Sequence, residues 1–372
     1  MHAPAAAHIN DEGEVMMQRG LTKTVGVVAA GMVAALTLSA CSSSGTTGGQ
    51  SSGSPSSGGQ SSASNPSDGK KLNIAYMSFA VANSYDAPML AAAKKVAAQS
   101  SANVTVFDAN NSPQQQFNQM QNVISSGKYD GIITQPILAT NLIPLVSQAV
   151  KKGIKVVNID EVLGSNQSTN NPQVPGLSGN VILPPATIGQ RLGEQVVAAC
   201  KSKNFNPCNV GYLYDIKAST LDEARRKAFD QAIAGTSSVK VVAEGEDLFT
   251  IPGGLKAVQN MLQSRGDLNV IVGSGQGIRG GVDALKTANK SGQLLFVGYG
   301  GSAGALQLVA QGAQFADVYQ NPATYGRLGM TALIEALRTG KDSGAINPEV
   351  GLPNGGIVTK QNFAQFKPEW QG

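Results

Sequence analysis

Side chains able to grip a small polar molecule recur just beyond the carboxyl ends of strand-like runs. In chain order they are Asn83, Tyr85 and Asp86; Gln135; Asp160 and Glu161; Ile216; Phe249; Ser274 and Gln276; Tyr299; and Gln320. Carboxylates and amides exchange hydrogen bonds with hydroxyls, and aromatic rings pack on C–H faces. The mixture suits a small polyhydroxylated ligand, and the acids also admit a cationic one. It is poorly suited to catalysis. The chain's only histidines are His2 and His8, both upstream of the leader described below. The exported chain therefore has no Ser-His-Asp triad, no Cys-His pair and no histidine metal site. No catalytic residue, metal or cofactor is expected.

One motif points elsewhere. Gly275-Gln276-Gly277-Ile278-Arg279-Gly280 spells G-x-G-x-x-G between a strand and a helix, which is the dinucleotide pattern on paper. It stands far into the chain, and no acid ends the next strand, 294–297. The glycines are read as a tight cleft turn, and no nicotinamide site is assigned.

The start of the chain restricts where this chemistry takes place. Arg19 and Lys23 precede a short apolar run over 24–37, which ends in Leu38-Ser39-Ala40-Cys41. A basic start, an apolar core and small residues at a cleavage site make a secretory signal. The run is too short to span a bilayer, which takes about 20 residues. The tetrad resembles the bacterial lipobox, so Cys41 is expected to carry lipid and 1–41 to be the leader. Residues 1–15 are acidic, and translation is expected to begin at Met16 or Met17. Residues 42–69 are almost all Ser, Gly, Thr, Gln and Asn, which reads as a flexible tether. Cys200 and Cys208 are the remaining cysteines and are expected to pair in an oxidising compartment. The formal charge of +4 is modest, and no basic cluster suggests nucleic acid.

The elements that must position the gripping residues alternate. Strands are expected over 72–77, 104–107, 131–135 and 155–160, with helices over 85–99, 113–125 and 142–152. The pattern restarts with helices over 187–201, 221–234, 251–264, 278–289 and 322–338. Its strands fall over 209–214, 239–243, 270–272, 294–297 and 315–319. Strands alternating with helices give α/β lobes with parallel sheets, and the length of the remainder asks for two of them. Residues 163–185, rich in Asn, Pro, Gly and Ser, read as connection rather than core. Trp370 has no pattern around it that decides whether it packs on a lobe or hangs free.

From about 72 to 361 the chain resembles the ribose- and galactose-type sugar-binding proteins of ABC importers, the type I periplasmic binding proteins. The resemblance rests on a series in order: Asn83-Ser84-Tyr85, Asp108-Ala-Asn-Asn-Ser-Pro113, Val156-Val-Asn-Ile-Asp160, Glu223-Ala-Arg225 with Phe229, Met261-Leu262, Phe296-Val-Gly-Tyr299 and Gln320-Asn-Pro322. It implies two Rossmann-like lobes joined by a three-crossing hinge, one from 72–183 plus 322–351, the other from 184–321 plus 352–372. The contact positions it implies fall on Asn83, Tyr85, Gln135, Asp160, Glu161, Ile216, Arg225, Phe249, Ser274, Gly300 and Gln320. Three residues depart from the ribose-type pattern. Glu161 replaces an arginine, Ser274 an asparagine, and Gly300 a sugar-gripping aspartate. The resemblance further implies a monomer anchored to the outer face of the cytoplasmic membrane, delivering a sugar, polyol or related molecule to an ABC permease. A sensory receptor for a signalling partner and an exported carboxylate-dependent enzyme are the alternatives.

Overall fold

The computed structural model describes residues 70–372; the leader, Cys41 and the stretch 42–69 lie outside the described residues. The first block contains strands β1 (Leu72–Ser78), β2 (Ala102–Asp108), β3 (Gly131–Thr134), β4 (Lys155–Asp160) and β5 (Gly179–Ile182). Helices α1 (Asp86–Gln99), α2 (Pro113–Ser126) and α3 (Ile143–Lys151) alternate with them. The second block runs α4 (Pro185–Ser202), β6 (Cys208–Tyr214), α5 (Thr220–Ile233), β7 (Val239–Glu246), α6 (Ile251–Ser264), β8 (Val270–Ser274), α7 (Gly275–Thr287), β9 (Leu295–Tyr299), α8 (Ala303–Gln311) and β10 (Ala316–Val318). The chain then returns through α9 (Pro322–Thr339) and β11 (Gly344–Ile346) before β12 (Ile357–Thr359).

The strands form two sheets of like order, β11-β5-β4-β3-β1-β2 and β12-β10-β9-β8-β6-β7. Pairing is parallel except between β10 and β12. The chain passes between sheets after β5, after β10 and between β11 and β12, giving the three crossings. The helices start where the sequence supplies caps. Ser112, Ser219, Thr250 and Ser302 each accept a hydrogen bond from a backbone N–H of the first turn they precede, satisfying a donor the helix itself cannot. The Cys200–Cys208 disulfide ties the last turn of α4 to the first residue of β6. By loop-closure entropy it stabilises by about 2–3 kcal/mol.

Three readings of the sequence change. Residues 163–185 are not mere connection, because β5 is buried along its whole length between β4 and β11. Its polar flanks hid a strand of only four residues. Helix α8 and the three-residue strands β11 and β12 also escaped the periodicity. The G-x-G-x-x-G run is not a turn but the start of α7, capped by Ser274. Its glycines permit close approach: a Cβ at Gly280 would lie 2.2 Å from the carbonyl oxygen of Ile251, and one at Gly277 would lie 2.0 Å from Oδ2 of Asp247.

Helices α1 and α9 cover one face of the first sheet and pack on each other through Gly326, where a Cβ would stand 1.9 Å from the Met89 carbonyl oxygen. Gly326→Ala is expected to cost about 1–3 kcal/mol in denaturant unfolding. Gly235→Ala, which meets open space, should be neutral or stabilising by up to about 1 kcal/mol.

Candidate functional site

The carboxyl ends of both sheets face one cleft. Its lining is Phe79, Asn83, Tyr85, Asp86, Gln135, Asp160, Glu161, Arg225, Phe249, Gln276, Tyr299, Gly300, Gln320 and Trp370. The space between them is about 60 Å³. A single water needs roughly 10–15 Å³ on this measure, so the room is for a small guest. All but two of the residues singled out from sequence come together here. Ile216 lies outside the lining, and its backbone N–H donates to Asp222 instead (2.6 Å). Ser274 is also outside it, because its hydroxyl is spent inside the second lobe. That hydroxyl donates to Asp247 (2.8 Å) and accepts from the Gly277 N–H (3.0 Å).

On the first lobe the side chains are fixed by one another. Gln135 follows β3, and its amide nitrogen donates to Asp86 (2.8 Å) and to Asp160 (2.9 Å). Its amide oxygen accepts from the Phe79 N–H (3.2 Å), and Gln116 holds its backbone carbonyl (2.8 Å). The Tyr85 hydroxyl donates to Asp160 (3.0 Å). Asp86 opens α1, where a helix N-terminus favours an acid, and accepts from the Ala80 N–H (3.2 Å). Asp160 ends β4 with φ +66°, a backbone region costly for a residue other than glycine and common at functional sites. Glu161 follows it, half-buried, and its carboxylate accepts no hydrogen bond from the described residues. Burial, then the charge of Asp160, pushes Glu161 well above the usual carboxylate range.

The second lobe contributes a cation. Arg225, on α5, is 4% exposed. Its Nη1 reaches Asp215 (2.5 Å), Asp222 (2.8 Å) and the Tyr299 hydroxyl (2.7 Å), while Tyr299 also donates to Asp215. The guanidinium carbon sits 4.3 Å from the Tyr299 ring centre. The structure commits Nη1 to the protein, and none of these bonds uses Nη2. Nε is buried without a partner. Phe249 reaches the cleft from a bend in which it and Leu248 both have positive φ, pinned by its N–H donating to Asp247 (2.8 Å).

Phe79 and Trp370 line the cleft without having been singled out. Phe79 directly follows β1 and obeys the same strand-end rule as its neighbours. Trp370 arrives from the far C-terminal segment, and nothing local in the sequence places it. Among the described residues, no group of His, Cys, Asp and Glu is arranged to hold a metal ion.

Burial raises Asp86 to about 7 and Asp160 to about 6. The folded chain thus holds protons that unfolded carboxyls, with pKa about 4, have released. Stability should fall as pH rises from about 4 to about 7 and then level off. Asp222 and Asp317, raised by burial to about 7, act with the same sign. Thermal melts are expected to show a lower midpoint at pH 8 than at pH 5, and Asp86→Asn to flatten that slope.

Comparison with known proteins agrees with this geometry. The periplasmic binding protein domain family matches residues 74–342. The D-allose-binding periplasmic protein of Escherichia coli K12 is 29% identical over 231 residues, 59% of this chain and 69% of that protein. A xylitol-binding protein of Mycolicibacterium smegmatis is 24% identical over 92% of this chain and 87% of its own. Among solved structures, an ABC transporter solute-binding protein from Bacillus halodurans with bound myo-inositol superposes with TM-score 0.69 at 20% identity, covering 81% of this chain and 98% of that one. The family match spans most of the sequence, both lobes and the strand ends that form the cleft, and the chain belongs to the periplasmic binding protein domain family.

Proposed function

We propose that this protein is the solute-binding component of an ABC importer for a sugar, polyol or related small molecule. On this reading it is held to the outer face of the cytoplasmic membrane by lipid on Cys41. It binds and releases its ligand unchanged and is not an enzyme; the relatives that it matches include allose- and xylitol-binding proteins and a ribose import binding protein. The observation that carries the ligand class is the cleft's first wall, where Asp86, Asp160 and Glu161 stand together. Carboxyl groups offer more acceptor sites than donors whether ionised or protonated, so this wall asks for a guest rich in donors. Hydroxyls meet that demand. An anionic guest would find one basic residue in the described lining, Arg225, already paired with Asp215 and Asp222. Tyr85, Phe249 and Trp370 add rings for the C–H faces of such a molecule.

The three crossings between the lobes supply a hinge, and ligand held by both walls favours their approach. Support for export comes from the leader-like start and from the disulfide, which belongs to oxidising compartments. A sensory receptor would use the same closure, and loss of uptake rather than of signalling in a deletion strain separates the two.

Isothermal titration against sugars, polyols, amino sugars and acidic sugars tests the ligand class. Heat is expected with a neutral or amino-bearing polyhydroxylated compound and none with the acidic sugars; silence with every neutral and amino compound removes the class. Glu161→Gln should leave the melting temperature unchanged near neutral pH, since burial already favours the uncharged acid and glutamine is its neutral near-isostere. The same variant should weaken the compound that binds by up to about tenfold, one hydrogen bond being worth roughly 0.5–1.5 kcal/mol.

A further inference from the structure

Trp370 is the chain's only tryptophan, and it enters the cleft from residues 366–372, which form no helix or strand. That segment is nonetheless bound to both lobes. On the second lobe, the N–H groups of Ala303 and Gly304, at the start of α8, donate to the carbonyls of Trp370 (2.9 Å) and Gln371 (3.1 Å). The Tyr319 hydroxyl donates to the Lys367 carbonyl. The indole N–H donates to the Gly300 carbonyl (2.6 Å). On the first lobe, Glu369 accepts from the N–H (2.8 Å) and the hydroxyl (2.7 Å) of Thr324, in the first turn of α9. The indole also meets the Tyr85 ring edge to face, with centroids 5.3 Å apart. Trp370 is 4% exposed.

Position 300 explains why the ring can be there. Gly300 has φ +126°, and a Cβ on it would stand 3.0 Å from the indole Cζ2. The indole therefore occupies the ground that a side chain at 300 would use, and the aspartate of the ribose-type pattern has no room beside it. The exchange alters the chemistry of the second wall. An aspartate accepts hydrogen bonds from hydroxyls. The indole presents carbon, and its one donor is already spent on the Gly300 carbonyl.

We propose that Trp370 is a specificity-determining wall of the ligand site, standing in for the acidic hook at position 300 and selecting guests that turn a C–H face or a deoxy position toward it. This rests on the sugar or polyol reading of the cleft. A hydroxyl pressed on the indole loses its water and gains no partner, which disfavours it; a methyl or C–H edge gains contact with the ring. Discrimination of this kind reaches about 10- to 200-fold for one small group in an apolar pocket.

The test uses the full chain and the fluorescence of its single tryptophan, with calorimetry alongside. The probes are D-allose and D-ribose, their counterparts 6-deoxy-D-allose and 5-deoxy-D-ribose, and xylitol. We expect a deoxy probe to bind at least as tightly as its parent and to shift the emission of Trp370. Trp370→Ala should weaken that probe by about tenfold or more, and Trp370→Phe should recover most of the loss. Trp370→Ala combined with Gly300→Asp should move the preference toward the hydroxylated parent. Circular dichroism melts establish that each variant is folded; if the alanine variant is not, the deoxy-to-parent ratio of Trp370→Phe decides, and a ratio unchanged from wild type with no emission shift on binding overturns the proposal. Binding of the same probe within about twofold by wild type and Trp370→Ala, again without an emission shift, also overturns it while leaving the sugar reading intact. No heat with any probe in either chain removes the sugar reading for these compounds and the proposal with it.

Discussion

The cleft depends on one electrostatic constraint, a single buried guanidinium set among more carboxyls than it can neutralise. Arg225 bonds Asp215 and Asp222 directly, and Tyr299 closes the group by bonding both Arg225 and Asp215. Asp247 stands behind them, raised well above the usual range by burial and by the charge of Asp215. Across the cleft are Asp86, Asp160 and Glu161. Removing one partner from a buried pair leaves an uncompensated charge, which costs roughly 3–5 kcal/mol. The arrangement is therefore rigid by necessity, and rigidity of this kind holds the remaining free edges in register for a guest.

The same economy of partners governs the joint between the lobes. Arg191 on α4 holds Glu349, in the crossing from β11 to β12, through two bonds of 2.7 and 3.0 Å. Such a fork fixes direction as well as distance. Asn321, just after the β10 strand, donates to the Pro348 carbonyl (2.8 Å) in the same crossing. Two of the three crossings are thus bonded to each other beside the cleft, not in it. The lobes can be positioned by the hinge while the strand ends stay available. A shared apolar cluster backs this joint, running from Tyr76 and Tyr325 through Leu183 and Ile188 to Tyr212 and Phe229.

How much of this was legible in the sequence depended on distance along the chain. The alternation of strands and helices is a local signal, and it located β1 to β4 and β6 to β10 because each apolar run sits beside its own helix. The rule that ligands meet the carboxyl ends of parallel strands then assembled most of the cleft from single positions such as Gln135 and Asp160. It failed where burial came from somewhere else. Strand β5 is a short run whose apolar character is diluted by Gly179 and Asn180, so only pairing with β4 and β11 makes it a strand. Ser274 obeys the strand-end rule and still misses the cleft, because Asp247 competes for its hydroxyl. Trp370 is the extreme case. Its partner Gly300 is 70 residues away, and no periodicity connects an isolated ring to a glycine. The one available hint was negative, a glycine standing where a ribose-type protein keeps an acid.

That negative hint and Glu161 belong to one argument. The two positions lie on opposite walls, and each departs from the ribose-type pattern in a way that moves charge. At Glu161 a cation gives way to an acid, so the first wall becomes an array of acceptors. At Gly300 an acid gives way to carbon from Trp370, so the second wall loses an acceptor while Arg225 stays in its lining. A guest fitting both walls must be amphipathic across its own width. It presents donors to Asp86, Asp160 and Glu161, and hydrogen on carbon to Trp370 and Tyr85. A sugar ring or polyol whose hydroxyls lie on one edge has that character, and an ion of uniform charge does not. On the proposed reading the two departures are coupled through the ligand rather than through direct contact.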